Sequence, residues 1–156
     1  MTQQIECVAQ LHGEPGDLLV AFASSDGDMV DEHFGSAAAF HLYRIGASGT
    51  EWVAERRFGQ EKKDGNEDKL KPKLAWLVGC DLVYCGSIGG SATRQLIALE
   101  VTPMQVAEGP DVADIAADLQ RQLAGTPERW LENILKKKAK RASGGVALDA
   151  TEEWVE

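Results

Sequence analysis

Residues 20–43 read Val20-Ala21-Phe22-Ala23-Ser24-Ser25-Asp26-Gly27, then Val30-Asp31-Glu32-His33-Phe34-Gly35-Ser36-Ala37, then Phe40-His41-Leu42-Tyr43. An apolar run of strand formers stops at a Ser-Ser-Asp-Gly turn signal and resumes as strand only after a polar stretch, which describes a strand, a loop and a second strand. The loop displays His33 just beyond the end of the first strand.

Working outward, the first strand spans Leu18 to Ala23, the second Phe40 to Ile45 and the third Trp52 to Phe58. Gly46-Ala47-Ser48-Gly49 turns between the last two, so two antiparallel pairings are expected early in the chain. Gly59 to Lys69 is charged and carries Gly65, after which Leu70, Leu74, Leu77 and Val78 recur at helical spacing until Gly79 closes the helix. Pro72 is tolerated in a first turn but removes a bond and clashes further in, so the regular helix is expected to begin near Lys71 or to be kinked there.

Asp81 to Cys85 is a short apolar strand, followed by the glycine loop Gly86-Ser87-Ile88-Gly89-Gly90-Ser91 and a helix from Ala92 to Leu99. Strand, glycine loop and helix form half of a crossover unit. Val101 to Val106 supplies a further strand. Val112, Ile115, Ala116, Leu119 and Leu123 mark one face of a helix ending at Gly125. Thr126 is then expected to cap a last helix with Pro127 at its first position, its apolar face being Trp130, Leu131, Ile134 and Leu135.

Strands paired antiparallel at the front and joined by helical crossovers behind predict an α/β fold, a three-layer domain with a mixed five-stranded sheet flanked by helices. One domain over residues 17–142 is expected, preceded by an N-terminal tail, 1–16, and followed by a flexible acidic tail, 143–156. A chain of 156 residues buries roughly 68–70% of its unfolded surface, enough for a core without staples.

Hydrophobic residues at 44% and charged ones at 26% are those of an ordinary globular protein, and a net charge of -9 opposes binding to phosphate backbones. Nucleic acid is therefore not an expected partner. The basic run Lys136-Lys137-Lys138-Ala139-Lys140-Arg141 reads as cations complementing a helix C-terminus, or else as a docking patch. No apolar run is long enough to span a bilayer and no secretory pattern opens the chain, so a cytoplasmic protein without a membrane partner is expected. Cys7, Cys80 and Cys85 lack CxxC spacing and read as reduced thiols.

In open α/β sheets ligands gather beyond the carboxyl ends of parallel strands. That edge carries the loop Ser24 to Ser36 and, from a distant part of the chain, Cys85 with the glycine loop. No phosphate-binding loop, nucleophile elbow or His-Glu-x-x-His pair is present. The first strand holds no acid and Asp81 stands at the wrong end of its strand, so the carboxylates of a metal-dependent nuclease are missing. No catalytic residue is assigned and no enzyme is expected.

The His33-Phe34-Gly35 loop resembles the nitrogenase iron-molybdenum cofactor biosynthesis and carrier family of the NifX and NafY type. The resemblance continues through Gly65 to Leu70, Gly79 to Ser91, Gln95-Leu96, Thr126-Pro127, Trp130-Leu131 and Glu152-Glu153-Trp154, covering nearly all of the chain. The NifX form is expected rather than NafY, since no extra N-terminal domain stands before these motifs. The resemblance implies a ribonuclease H-like topology. It also implies a carrier that binds the iron-sulfur precursor of iron-molybdenum cofactor, the NifB cofactor, or the finished cofactor transiently, and passes it between assembly proteins. The partners so implied are a NifB-type cofactor synthase and a NifEN-type scaffold; apart from the resemblance, the apolar Trp154, with no obvious core partner, suggests docking through the last helix and the acidic tail. The competing reading is a regulatory or chaperone-like interaction module of the nitrogen-fixation system with no cluster of its own.

A bulky, anionic, sulfide-rich cluster calls for backbone N–H donors, a cation and a soft or imidazole ligand. The family's His-Phe-Gly motif implies His33 as an iron ligand, with Phe34, Gly35 and Ser36 beside it; neutral imidazole suits iron. Gly86, Gly89 and Gly90 would let main-chain N–H groups approach, with Ser91 capping the helix or donating to sulfide. Cys85 is the candidate second metal ligand, its thiol expected to be acidified by the helix N-terminus, or else a small buried residue that ends a strand. Cys80 lies roughly 16–17 Å back along an extended strand and on its other face, so the two thiols cannot share a cluster. Arg94 could neutralise cargo charge. Glu32 stands where the family more often has Gln, adding negative charge beside the cargo. His12 and His41 have no supporting neighbours, and His41, next to Phe40, reads as structural.

Overall fold

Leu18–Ala23 forms β1 and is buried at every position. A continuous apolar run of this kind belongs to a strand covered on both faces, and β1 lies at the centre of the sheet. In this computed structural model residues 7–11, 16–58, 70–106 and 109–142 are described. β1 pairs antiparallel with β2, Ala39–Gly46, which pairs antiparallel with β3, Gly49–Arg57. On its other side β1 pairs parallel with β4, Leu82–Cys85, and β4 parallel with β5, Thr102–Gln105. The order β3-β2-β1-β4-β5, with β2 antiparallel to its neighbours, is the one expected of the ribonuclease H-like topology.

Side-chain alternation divides β1 between two cores. Leu19, Ala21 and Ala23 pack with Leu74 and Leu77 of α1, Leu70–Leu77, and with Ala92 and Leu96 of α2, Gly90–Ala98. Leu18, Val20 and Phe22 pack with Val112, Ala116 and Leu119 of α3, Val112–Ala124, and with Leu131 of α4, Arg129–Ala142. Helices on both faces make the three layers. Among the described residues no helix is long and apolar enough to cross a membrane.

Several boundaries differ from the sequence reading for identifiable reasons. The N-terminal residues contribute to the core, because Val8 is fully buried and Ala9 lies against Gly79. Gly79 has φ +96°, and a Cβ there would collide with the Ala9 backbone. Pro72 is the third residue of α1, within the first turn, where its missing N–H would have had no helical partner. α2 begins at Gly90 rather than Ala92, with Gly89 at its N-cap and no side-chain cap.

The last helix begins at Arg129, so Thr126 does not cap it. The buried Gln122 side chain takes the Glu128 N–H at 2.9 Å, and the Glu128 carbonyl accepts from Glu132 N–H at 2.8 Å. The helix therefore starts one residue after that junction. The charged segment 59–69 and the tail 143–156, including Trp154, lie outside the described residues.

The end of the sheet opposite the β1 and β4 carboxyl ends is closed by Asp81. Its carboxylate accepts the Leu19 N–H at 2.8 Å and meets Lys138 Nζ of α4 at 2.7 Å. Asp81 N–H donates to the Leu19 carbonyl, and its own carbonyl accepts from Thr102 N–H. One residue thus joins β1, β4, β5 and α4. Lys138, one of the basic run read above as complementing a helix C-terminus or as a docking patch, is instead the largely covered partner of this carboxylate, its side chain 11% exposed.

Candidate functional site

The loop after β1 is clamped on two sides. Toward α3, Val30 N–H donates to the Pro110 carbonyl at 2.9 Å and Val112 N–H to the Asp28 carbonyl at 2.8 Å, an antiparallel bridge between Met29 and Asp111. Toward β4, Gly86 N–H donates to the Glu32 carbonyl at 2.8 Å and Phe34 N–H to the Ser87 carbonyl at 2.8 Å. Ser25 N–H and hydroxyl both bond Asp31, and Arg57 Nη2 reaches the Ser25 carbonyl at 3.2 Å. His33 is therefore held at the mouth between β1 and β4 by the main-chain bonds of its neighbours Glu32 and Phe34, at the place the strand-end argument indicates.

Phe34 is the anchor beneath it. Its side chain is fully buried, its ring 5.5 Å from that of Phe40, which in turn lies 5.6 Å from Phe58. A fully buried ring contributes about 1.5–3 kcal/mol by leaving water, so Phe34 fixes the loop and leaves the exposed surface of the mouth to its neighbours. His33, Gly35 and Ser36 are exposed. His33 Nδ1 lies 2.5 Å from Ser87 Oγ. Gly86 makes room for this, since a Cβ there would sit 3.3 Å from the Glu32 carbonyl oxygen and 3.7 Å from His33 Nδ1.

The charge at the mouth is mixed. Asp26, Asp28 and Asp31 are exposed on the loop, and hydrogen bonds led by that from Asp28 N–H hold the Asp26 carboxyl below its ordinary value. Burial, with Asp31 adding, raises the Glu32 carboxyl above its ordinary value, so its negative charge is more easily lost than in water. Lys73 of α1 is buried with its Nζ 4.8 Å from the Phe58 ring centre, and it opposes that rise at Glu32. Arg94 is exposed on the first turns of α2, its Nη1 beside Gly90.

Cys85 takes the buried alternative, and the acidified thiol expected of it is not found. Its side chain is fully buried in the α1/α2 core, and burial pushes the thiol up to about 11. The helix N-terminus does not acidify it, and in this conformation its sulfur does not reach the mouth. Cys80 does not lie on the opposite face as expected. The strand begins only at Leu82, so alternation does not extend to Cys80, and both thiols bury against the α1/α2 layer. Cys80 Sγ bonds the Leu82 and Leu19 carbonyls, and burial drives its pKa far upward. Cys7, Cys80 and Cys85 are all free thiols.

Gly89 and Gly90 are exposed at the start of α2, where the helix leaves its first N–H groups without main-chain partners. Ser91 is inside the helix, and its Oγ accepts from Gln95 Nε2 at 3.1 Å instead of capping. His41 is 5% exposed, with Nε2 3.9 Å from Glu55 Oε2 and its ring beneath Gly27. Burial lowers its pKa, against the pull of Glu55. It is a floor to the loop, in keeping with its structural reading.

Ser87 and Lys138 were not singled out by sequence reasoning. An acid opening an apolar strand was a usable signal for Asp81 and hence for a buried cation, whereas nothing in the spelling of either loop reports that residue 87 meets residue 33. Among the described residues no three His, Cys, Asp or Glu side chains are grouped to hold a metal ion.

The family model described as dinitrogenase iron-molybdenum cofactor matches residues 17–122. The chain is 42% identical over 125 residues to Protein NifX of Azotobacter vinelandii, covering 80% of this chain and 79% of that one. It is 36% identical over 123 residues to Protein NifX of Herbaspirillum seropedicae, covering 78% of this chain and 84% of that one. It is also 28% identical over 141 residues to the FeMo cofactor biosynthesis protein NifB of Bradyrhizobium diazoefficiens, covering 78% of this chain but 28% of NifB.

Proposed function

Because the chain belongs to the dinitrogenase iron-molybdenum cofactor family, we propose that it is a non-catalytic carrier in iron-molybdenum cofactor biosynthesis. It accepts the iron-sulfur precursor made by a NifB-type synthase, holds it at the mouth beside His33, and releases it to a NifEN-type scaffold in the cytoplasm. The names of its relatives support the biosynthetic setting. The observation that carries the binding reading is His33 itself, an exposed imidazole at a strand-end mouth, fixed in place by backbone bonds on either side.

The chemistry of the mouth suits a cargo that must leave again. Neutral imidazole is a good iron ligand, and one such bond is weaker than a closed cage of thiolates. The N-terminus of α2 and Arg94 favour an anion. Asp26, Asp28 and Asp31 oppose one, and exposed charges act over about 8 Å at physiological salt. Attraction on the α2 side and repulsion on the loop side leave moderate affinity, which transfer requires.

Transfer is the test. The protein is loaded anaerobically with purified NifB cofactor, recovered by gel filtration and mixed with cofactor-free NifEN-type scaffold. Iron that is retained without molybdenum and then moves to the scaffold supports the reading; protein that recovers free of iron contradicts it.

A further inference from the structure

We infer that Ser87 is a positioning residue that reserves His33 Nε2 for the cargo and fixes the direction in which it faces. The inference rests on the carrier reading and deepens it. A surface histidine ordinarily samples several rotamers and offers either ring nitrogen. Here the Ser87 hydroxyl occupies Nδ1 at 2.5 Å, so Nε2 is the nitrogen left for a ligand. Ser87 is itself fixed, because its carbonyl takes the Phe34 N–H and the preceding Gly86 N–H bonds the Glu32 carbonyl. Residues 32, 33 and 34 are thus each engaged by residue 86 or 87, and the side-chain bond is the middle contact of three.

The choice of a hydroxyl has a consequence for an anionic cargo. An imidazole bonding iron through Nε2 keeps its proton on Nδ1, and a metal-bound histidine usually donates that proton to an acceptor that holds the ring. Ser87 Oγ accepts it without adding charge to a loop that already carries Asp26, Asp28, Asp31 and Glu32. A carboxylate in its place would make a more basic imidazole but repel the cargo. A hydroxyl can also turn to donate when the cargo leaves, so the ring stays aligned in both states.

The experiment compares Ser87→Thr, which keeps the hydroxyl, with Ser87→Val, which has the same shape without it. Two quantities are read: the His33 χ1 distribution from side-chain NMR couplings in the cargo-free protein, and retention of purified NifB cofactor against concentration. One His33 rotamer is expected in wild type and Ser87→Thr, with averaging in Ser87→Val at an unchanged melting temperature. Retention is expected to weaken about 10–100-fold in Ser87→Val and to recover in Ser87→Thr. Averaging of His33 in wild type overturns the inference, as does cofactor retention by Ser87→Val equal to wild type, which leaves the carrier standing. Wild-type protein that retains no cofactor ends the carrier reading instead, and the rotamer comparison still decides the role of Ser87 toward His33.

Discussion

Gly86 donates its backbone N–H to the Glu32 carbonyl at 2.8 Å, joining the loop after the first strand to the loop after the fourth across 54 residues of sequence. The close approach depends on the missing side chain, since a Cβ at Gly86 would stand 3.3 Å from that oxygen. Gly86→Val should part the loops and cost about 1–3 kcal/mol, the range for overpacking a tight contact. Hydrogen exchange at the Gly86 and Phe34 amides should accelerate more than at β1 amides. Unchanged protection at both would show that the clamp does not depend on the glycine.

Lys138 and its neighbours in the basic run should behave differently. Lys138→Ala leaves the Asp81 carboxylate buried without its cation, a change that costs about 3–5 kcal/mol. A surface lysine such as Lys136 should cost within about 0.5 kcal/mol on the same substitution. Equal urea midpoints for the two variants would remove the buried pair from the account.

Glu100 closes α2 in a left-handed conformation, φ 66°, with its N–H on the Ile97 carbonyl and the Val101 N–H on the Leu96 carbonyl. That arrangement favours glycine. Glu100→Gly relieves about 1–2 kcal/mol of left-handed strain, offset in part by the added freedom of the unfolded chain and by loss of the Glu100 side-chain interaction, so the melting temperature should rise. A lower melting temperature would mean that the Glu100 side chain holds contacts worth more than the strain.

His41 ties stability to pH. Burial holds its folded pKa below the ordinary 6.5, so the unfolded chain binds a proton that the folded chain refuses. Its contribution is full above about pH 6.5 and is lost as pH falls from there through the folded value. Comparing urea unfolding at about pH 7.5 and about pH 5.5, His41→Gln should lose less stability on acidification than wild type. Equal losses would assign the pH dependence to other groups.

The fold was legible because its signals are local. The unbroken apolar run at Leu18–Ala23 marked a central strand, Gly46 to Gly49 marked the hairpin turn, and Gly79 marked the end of a helix. The mouth was legible as a place, since strand ends converge there whatever the details. Which side chains face it was not. Phe34 lies between two exposed residues and Cys85 before the half-buried Gly86, and only the packing of α1 and α2 over them decides that they are buried. The partner of His33 was invisible for the same reason. Gly86 and Ser87 reach the loop through a register between two irregular segments, which no periodicity encodes.

The most direct measurement is anaerobic retention of purified NifB cofactor after gel filtration by wild type, His33→Ala and Cys85→Ala at matched protein concentration. His33 is exposed at the clamped mouth and Cys85 is buried beneath it with a protonated thiol. The account predicts that iron is retained by wild type and Cys85→Ala and lost from His33→Ala. Retention by His33→Ala equal to wild type, with loss from Cys85→Ala, would contradict it.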